Sequence, residues 1–324
     1  MSTVKNISLP NSTISIDLSL SALHFWFGFN ISCASVSSIL IILLLVVIFR
    51  TESLRHGSGL LIAHLLFVNF LICGFTQPTY LIGIFLKVNN PQEPIHLNCT
   101  AFMYIHLSLF RTECFASLSM AINRFFAIVL PHYYHWMMKK STVIAIIVMS
   151  WVCGFLIYSP TIFGIGQTYG KFPPFYSCGS RSNGDSVLPH LAVFGTYIPL
   201  GTLGFLYLVI ALSILCNRDA SRNQRMQKRI TIAKMLCSSF VFYVCCFVPM
   251  TVGASFFPLV VFRRPEVLMW LVALQMLGYS GHPVVFLTLN KDYRKACRNL
   301  FGKAHIGPQK TLSRTHPSRG ETAI

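Results

Sequence analysis

The chain predicts an all-α protein, a bundle of seven membrane-crossing helices followed by one short amphipathic helix. Three observations carry this. Of 324 residues, 54% are hydrophobic and only 11% are charged, against about 25% charged in an average soluble domain; the mean hydropathy is +0.61. Apolar runs recur at about 25–49, 59–86, 99–130, 141–165, 188–216, 230–257 and 266–289, and each is long enough as a helix to cross a hydrocarbon layer of about 30 Å. The basic residues divide unevenly between the two faces that such a bundle creates.

That division gives the topology. One face collects Arg50 and Arg55, Lys139 and Lys140, the third-loop group Arg218, Arg222, Arg225, Lys228, Arg229 and Lys234, and eight more from Lys291 to Arg319. The other holds Lys5, Lys87, Lys171, Arg181, Arg263 and Arg264. By the positive-inside rule the amino terminus is outside and the tail is cytoplasmic. The net charge of +17 is therefore a topology signal and an attraction to anionic membrane lipid, and a nucleic-acid partner is excluded.

Residues 1–24 are polar, without the apolar core of a cleavable signal, so the first helix is expected to act as the targeting element. Asn6, Asn11 and Asn98 each begin a glycosylation acceptor triplet, and all three fall on the outer face. Asn30 also matches, but lies within the first run. Most of the eleven cysteines sit inside helices, where a thiol is a small buried hydrophobe. Cys99 and Cys178 instead face the oxidising side and can close a disulfide. The loop "GKFPPFYSCGSRSNGDS" has turn chemistry and can lie as a lid over an outer cavity. After the seventh run, "NKDYRKACRNLF" is amphipathic, and its Cys297 is either a palmitoylation site or a free cytosolic thiol. Residues 302–324 carry no apolar period and are expected to be disordered.

A charged side chain at the centre of a membrane helix costs about 2.5–3.5 kcal/mol, so each one here is a functional candidate. They are Arg111, Glu113 and Arg124 in the third run, with Asn69 in the second and His282 in the seventh as polar companions. Arg111 and Glu113, two apart on one helix, do not face each other, so Arg111 points to the ligand cavity or towards the fourth or fifth helix. Pro160, Pro199, Pro249 and Pro283 interrupt later runs and are natural kink points.

On these residues the chain resembles the rhodopsin-like (class A) G-protein-coupled receptors over about 25–301. Cys99 precedes Arg124 by twenty-five residues, as the family's disulfide cysteine precedes the arginine of its Asp-Arg-Tyr triplet, here Asn123-Arg124-Phe125. Trp151 with Pro160, Pro199 with Tyr207, "CFVP" ending at Pro249 and "HPVVF" from His282 to Phe286 match further family positions. The departures are Asn123 for the acid, Phe247 for the switch tryptophan, His282 for the helix-seven asparagine, Phe286 for its tyrosine, Asn69 for the helix-two aspartate and Ile41 for the helix-one asparagine. They resemble a divergent orphan or chemosensory-type branch.

The resemblance implies an extracellular region 1–24, a receptor domain 25–289, an amphipathic cytoplasmic helix 290–301 and a tail 302–324. It implies an extracellular ligand, a heterotrimeric G protein, membrane lipids as surroundings, a plasma-membrane location, and neither cofactor nor metal. Its activation switch would comprise Asn123, Arg124, Phe125, Tyr207, Tyr243, Phe247, Pro249, His282, Pro283 and Phe286. A polar cluster of Asn69, Glu113 and His282 would hold a cation or proton, or be a plain hydrogen-bond network. The ligand cavity would be lined by Gln77, His106, Arg111, Phe247 and Gln275. His106 stands where aminergic receptors keep their aspartate and Met276 where opsins keep their lysine, so the expected ligand is neutral, acidic or a peptide. With Asn123 neutral and Arg229 at the base of the sixth helix, the acids that restrain Arg124 in relatives are missing, and raised resting activity is expected.

Two other classes were weighed. A polytopic transporter would use the buried Glu113 and His282, but the repeat symmetry of such transporters is absent from the sequence. A metal-dependent intramembrane hydrolase would need HxxxH or HExxH, and the eleven histidines form neither. No phosphate-binding loop or nucleophile motif occurs.

Overall fold

The computed structural model describes residues 20–302 apart from 56–57, 91–96, 173–174, 176, 185–186, 217–223, 258–259 and 262–263. Asn6, Asn11 and the tail beyond Gly302 lie outside these, and so does the side chain of Arg229. Eight long elements follow one another: α1 Leu20–Arg50, α2 Ser58–Asn89, α3 Cys99–Ile128, α4 Lys140–Phe163, α5 Val187–Cys216, α6 Gln224–Phe256, α7 Pro265–Leu289 and α8 Lys291–Gly302. Helix α1 begins five residues before the apolar run, and α6 extends into the expected third loop. Between α4 and α5 an antiparallel hairpin pairs β1, Gln167–Phe172, with β2, Ser177–Ser182.

Helices α1, α2, α4, α5, α7 and the Cys237–Ala254 part of α6 are long and apolar enough to cross a membrane. Helix α3 is the exception, because it carries Arg111, Glu113 and Arg124 among many hydroxyls. Its place in the bundle explains how it is tolerated. Sixteen of its thirty residues are buried, whereas α4 buries only Val143, Ser150 and Gly154 between Lys140 and Leu156. A polar helix is affordable at membrane depth when other helices, not lipid, surround it.

Two helices carry a wide π turn, and each stands in the same relation to a proline. Ile72–Thr76 precedes Gln77-Pro78 in α2, and Val193–Tyr197 precedes Ile198-Pro199 in α5. Proline lacks an N–H and its ring clashes with the carbonyl four residues back, here that of Gly74 or Gly195. Widening to π geometry relieves the clash and rotates the side chains beyond it. Helix α4 instead tightens into a 3-10 turn at Ser159–Phe163, after which Gly164 takes φ 76°, a left-handed value that suits glycine.

Three apolar clusters stack through the bundle. The innermost joins Leu44, Leu61, Met120, Tyr207 and Phe286 to Tyr293 of α8. The middle one surrounds Phe110, Tyr243, Phe247 and Tyr279. The outermost packs Leu23, Trp26, Leu81 and Met269 against Phe175 from the hairpin turn, which thereby roofs the outer end. The Cys99–Cys178 disulfide ties β2 to the start of α3, where Oδ1 of Asn98 caps the helix by accepting the Ala101 N–H at 3.2 Å.

Helices α6 and α7 approach most closely at two glycines. A Cβ at Gly278 would lie 2.8 Å from Cys246 Cβ, and one at Gly281 would overlap the Phe242 ring. Gly281→Ala is therefore expected to cost about 1–3 kcal/mol, read as a lower melting temperature in detergent. Gly83→Ala, with nothing within 4 Å, should show no such loss.

On α8, Tyr293, Ala296, Cys297 and Leu300 are turned inward while Arg294, Lys295, Arg298 and Asn299 are exposed, the spacing of an amphipathic helix. Cys297 is half-buried, and burial pushes its thiol above the ordinary range.

Candidate functional site

The polar residues of the bundle fall into three tiers along α3. Cys99 and Arg124 are twenty-five residues apart, or about 38 Å at 1.5 Å per residue, so they mark the two ends of a membrane crossing.

In the outer tier His106 is buried among aromatic rings. It stacks on Tyr80 at 5.6 Å and on Phe102 at 5.7 Å, and meets Phe110 edge-on at 4.4 Å. On the same stretches of α2 and α3, Thr76 Oγ1, Gln77 Oε1 and His106 Nδ1 are buried without a hydrogen-bond partner among the described residues. Leaving such a group unpaired costs about 1–3 kcal/mol, so three on two adjacent helices are candidates for an outside partner. Gln275 is buried one turn before Tyr279 on α7. Gln77, His106 and Gln275 thus lie towards the roofed outer end.

Arg111 is turned away from them. Its Nη1 donates to Thr196 Oγ1, its Nη2 donates to Tyr158 Oη at 3.0 Å, and its guanidinium carbon lies 5.0 Å from the Tyr158 ring centre. Of the alternatives open in the sequence, it takes the side of α4 and α5.

The middle tier centres on Glu113, which is 0% exposed. Ser117 Oγ donates to its Oε1 at 3.3 Å, and His282 Nε2 lies 4.0 Å from the same oxygen. The Tyr243 hydroxyl is 3.7 Å from Cys114 Sγ, and its ring meets His282 edge-on at 5.7 Å. Among the described residues neither ring nitrogen of His282 has a hydrogen-bond partner. Asn69 is equally buried, but its Nδ2 bonds back to the Leu65 carbonyl at 3.0 Å. The closest pairing in the expected trio is thus Glu113 with His282, and Ser117 and Tyr243 join it. Ser117 was findable from the sequence, since it lies four residues after Glu113 on one helix face.

Rings connect these tiers without a gap. Phe110 stacks on Tyr279 at 5.2 Å, Tyr279 meets Tyr243 at 6.0 Å, and Tyr243 stacks on Phe247 at 5.0 Å. With His106 above and His282 below, the series runs from the outer tier to Glu113.

In the inner tier Arg124 is 1% exposed, and its charge acts on the buried hydroxyl of Tyr207. Asn123 is also fully buried, and neither atom of its amide has a hydrogen-bond partner. Phe125 is half-buried and meets Phe126 edge-on at 5.9 Å. Pro249 lies within α6 and Pro283 within α7, and Phe286 contacts Tyr293 of α8 at 6.4 Å. A small cavity lined by Ser117, Tyr207, Ser239, Tyr243 and His282 leaves about 20 Å³ open to the centre of a water-sized sphere, enough for a water molecule. Among the described residues no cluster of three or more His, Cys, Asp or Glu could hold a metal ion.

Comparison with known proteins agrees with this architecture. The crystal structure of squid rhodopsin superposes with a TM-score of 0.75, covering 92% of this chain and 90% of that one at 16% identity, which is a likeness of fold. Blue-sensitive opsin of Oryzias latipes is 23% identical over 169 residues, 48% of this chain and 47% of the opsin. Human olfactory receptor 9A1 is 30% identical over 115 residues, 36% of each chain. Human olfactory receptor 10Z1 is 24% identical over 292 residues, 80% of this chain and 86% of the receptor. The chain thus spans about half the length of the opsin it matches and about a third of olfactory receptor 9A1. The family described as 7 transmembrane receptor (rhodopsin family) matches residues 42–280. A multi-pass bundle with a buried arginine at the inner end of its polar third helix, a disulfide at the outer end and this family match over most of its length belongs to the rhodopsin family of seven-transmembrane receptors.

Proposed function

We propose that the chain is a plasma-membrane receptor, with its amino terminus outside, that binds a non-aminergic extracellular ligand and activates a heterotrimeric G protein through an outward movement of α6. The observation that carries this reading is Arg124, a buried cation beside Tyr207 at the inner end of α3. Pro249 within α6 is the pivot, since its missing N–H weakens the helix there. Ligand binding is read by the outer tier, where unpaired Gln77 and His106 atoms await hydrogen-bonding groups. Among the described residues the ring partners of His106 are Tyr80, Phe102 and Phe110, none of which carries a carboxylate to hold an amine. The ring series from His106 to Tyr243 supplies a contiguous packed route to the switch, and packed elements with two discrete arrangements are how such coupling travels.

The test is nucleotide exchange. The receptor in lipid nanodiscs should accelerate guanine-nucleotide exchange on at least one purified G protein. No acceleration with any G-protein class, from protein that is folded by thermal unfolding, would overturn the reading. Substrate uptake into vesicles would then decide for a transporter built on the Glu113 and His282 pair.

The same pair has a role within the receptor reading. Glu113 with Ser117, Tyr243 and His282 is a cation or proton site that stabilises the resting arrangement of α3, α6 and α7. Glu113→Gln should make resting activity indifferent to sodium and to pH, where the unsubstituted receptor responds to at least one. Indifference in both proteins reduces the cluster to a hydrogen-bond network.

A further inference from the structure

Arg111 lies in the middle of the bundle, and the groups it meets among the described residues are neutral. Among the described residues, its side chain meets the hydroxyl of Thr196 and the hydroxyl and ring of Tyr158. Its Nε–H is buried with no partner, and the one ion pair of described side chains is His282 with Glu113. A guanidinium at membrane depth is expensive unless an anion or a full set of acceptors meets it. Two hydroxyls, which serve equally as donors, do not supply that anion.

The surroundings are shaped to admit one. Three helices meet at Arg111, and two of them are irregular there. Tyr158 stands at the head of the 3-10 turn that ends α4, and Thr196 lies in the π turn of α5. Gly195 in that turn packs against the Arg111 side chain, and a Cβ there would lie 3.5 Å from Arg111 Cδ and 3.2 Å from the Tyr158 ring. Glycine keeps this wall thin. Thr196 and Tyr158 are buried, whereas Arg111 itself is only half-buried.

We infer that Arg111, with the Tyr158 and Thr196 hydroxyls, forms an anion subsite between α3, α4 and α5 that holds the carboxylate of this receptor's ligand. One planar guanidinium flanked by two hydroxyls matches a single negative charge in a bidentate or side-on pairing. A phosphate, with nearly two charges, would call for a second cation, which the described neighbours of Arg111 do not include. The carboxylate replaces one or both hydroxyls as the acceptor of the guanidinium and takes up Nε–H, while the displaced hydroxyls donate to it. This deepens the receptor reading and rests on it for the word ligand. The site itself stands on the Arg111 geometry alone.

The carboxylate can arrive from water or from the bilayer, since Val193 and Phe194 of the π turn and Ile198 just after it are exposed on the outer surface of α5. The experiment separates the two. Purified receptor in nanodiscs is titrated with matched acid and amide pairs: benzoate and benzamide, phenylacetate and phenylacetamide, hexanoate and hexanamide, palmitate and palmitamide. Binding is read by thermal shift and by competition between pairs. At least one acid should bind about ten-fold or more tightly than its amide. Arg111→Gln should abolish that preference, Arg111→Lys should retain part of it, and Tyr158→Phe should weaken it about three-fold. Preference confined to palmitate assigns entry from the membrane, and preference among the soluble acids assigns entry from water. No acid preference in any pair overturns the inference, as does a preference that survives Arg111→Gln. Should Arg111→Gln fail to fold, Arg111→Lys and Tyr158→Phe carry the test. Arg124→Ala must leave acid binding intact, so loss of G-protein exchange and loss of the anion subsite are separate results.

Discussion

Arg124→Ala is expected to lower receptor-driven nucleotide exchange at least about ten-fold, a loss of about 1.4 kcal/mol or more in stabilisation of the productive complex. The reason lies in where Arg124 sits. A long guanidinium at a helix end can snorkel to the headgroups, but this one is only 1% exposed and its charge acts on the buried Tyr207 of α5. A cation held inside at rest is useful when α6 leaves and exposes it to an incoming protein. Arg124→Lys keeps the charge and loses the planar fork, so it should retain a fraction of the exchange. Thermal unfolding of both variants separates this from misfolding. Undiminished exchange by folded Arg124→Ala would remove the arginine from the mechanism.

Asn123→Asp is expected to act in the opposite sense at the same place, lowering ligand-free output about three- to ten-fold at equal surface expression. Asn123 is buried with neither amide atom hydrogen-bonded, so the site already carries an unsatisfied polar group. An aspartate there adds a buried anion next to Arg124, and a well-placed buried pair strengthens the arrangement in which both stay enclosed. That arrangement is the resting one. Second-messenger output without ligand is the measurement, and equal output from the two proteins would show that the missing acid does not set resting activity.

Much of this was legible in the residues. The seven crossings follow from apolar run lengths, and the runs 99–130 and 266–289 lie within a few residues of the bounds of α3 and α7. The Cys99–Cys178 bond was legible from two outer cysteines, and it joins β2 to α3. What escaped was geometry that depends on the fold. The π turns of α2 and α5 need a proline together with a tightly packed neighbour, and sequence alone reports only the proline. Tyr158 and Thr196 are 47 and 85 residues from Arg111, so no local spacing could reveal them. Helix α1 starts early because Leu23 and Trp26 pack under the hairpin, with the Trp26 indole N–H donating to the Met269 carbonyl at 2.6 Å. That tertiary support lies outside any hydropathy window.

The central claim is that α6 parts from α3 at Arg124 to admit a G protein, and a distance measures it most directly. Nine free cysteines among the described residues complicate thiol labelling, so spin labels are placed by non-natural amino acids at Lys140 and Gln227, both exposed at the inner ends of α4 and α6. Pulsed electron resonance on the receptor in nanodiscs should show a longer distance when nucleotide-free G protein is added, and Arg124→Ala should diminish that population. A distance distribution unchanged by a G protein whose nucleotide exchange the same receptor accelerates would contradict the account.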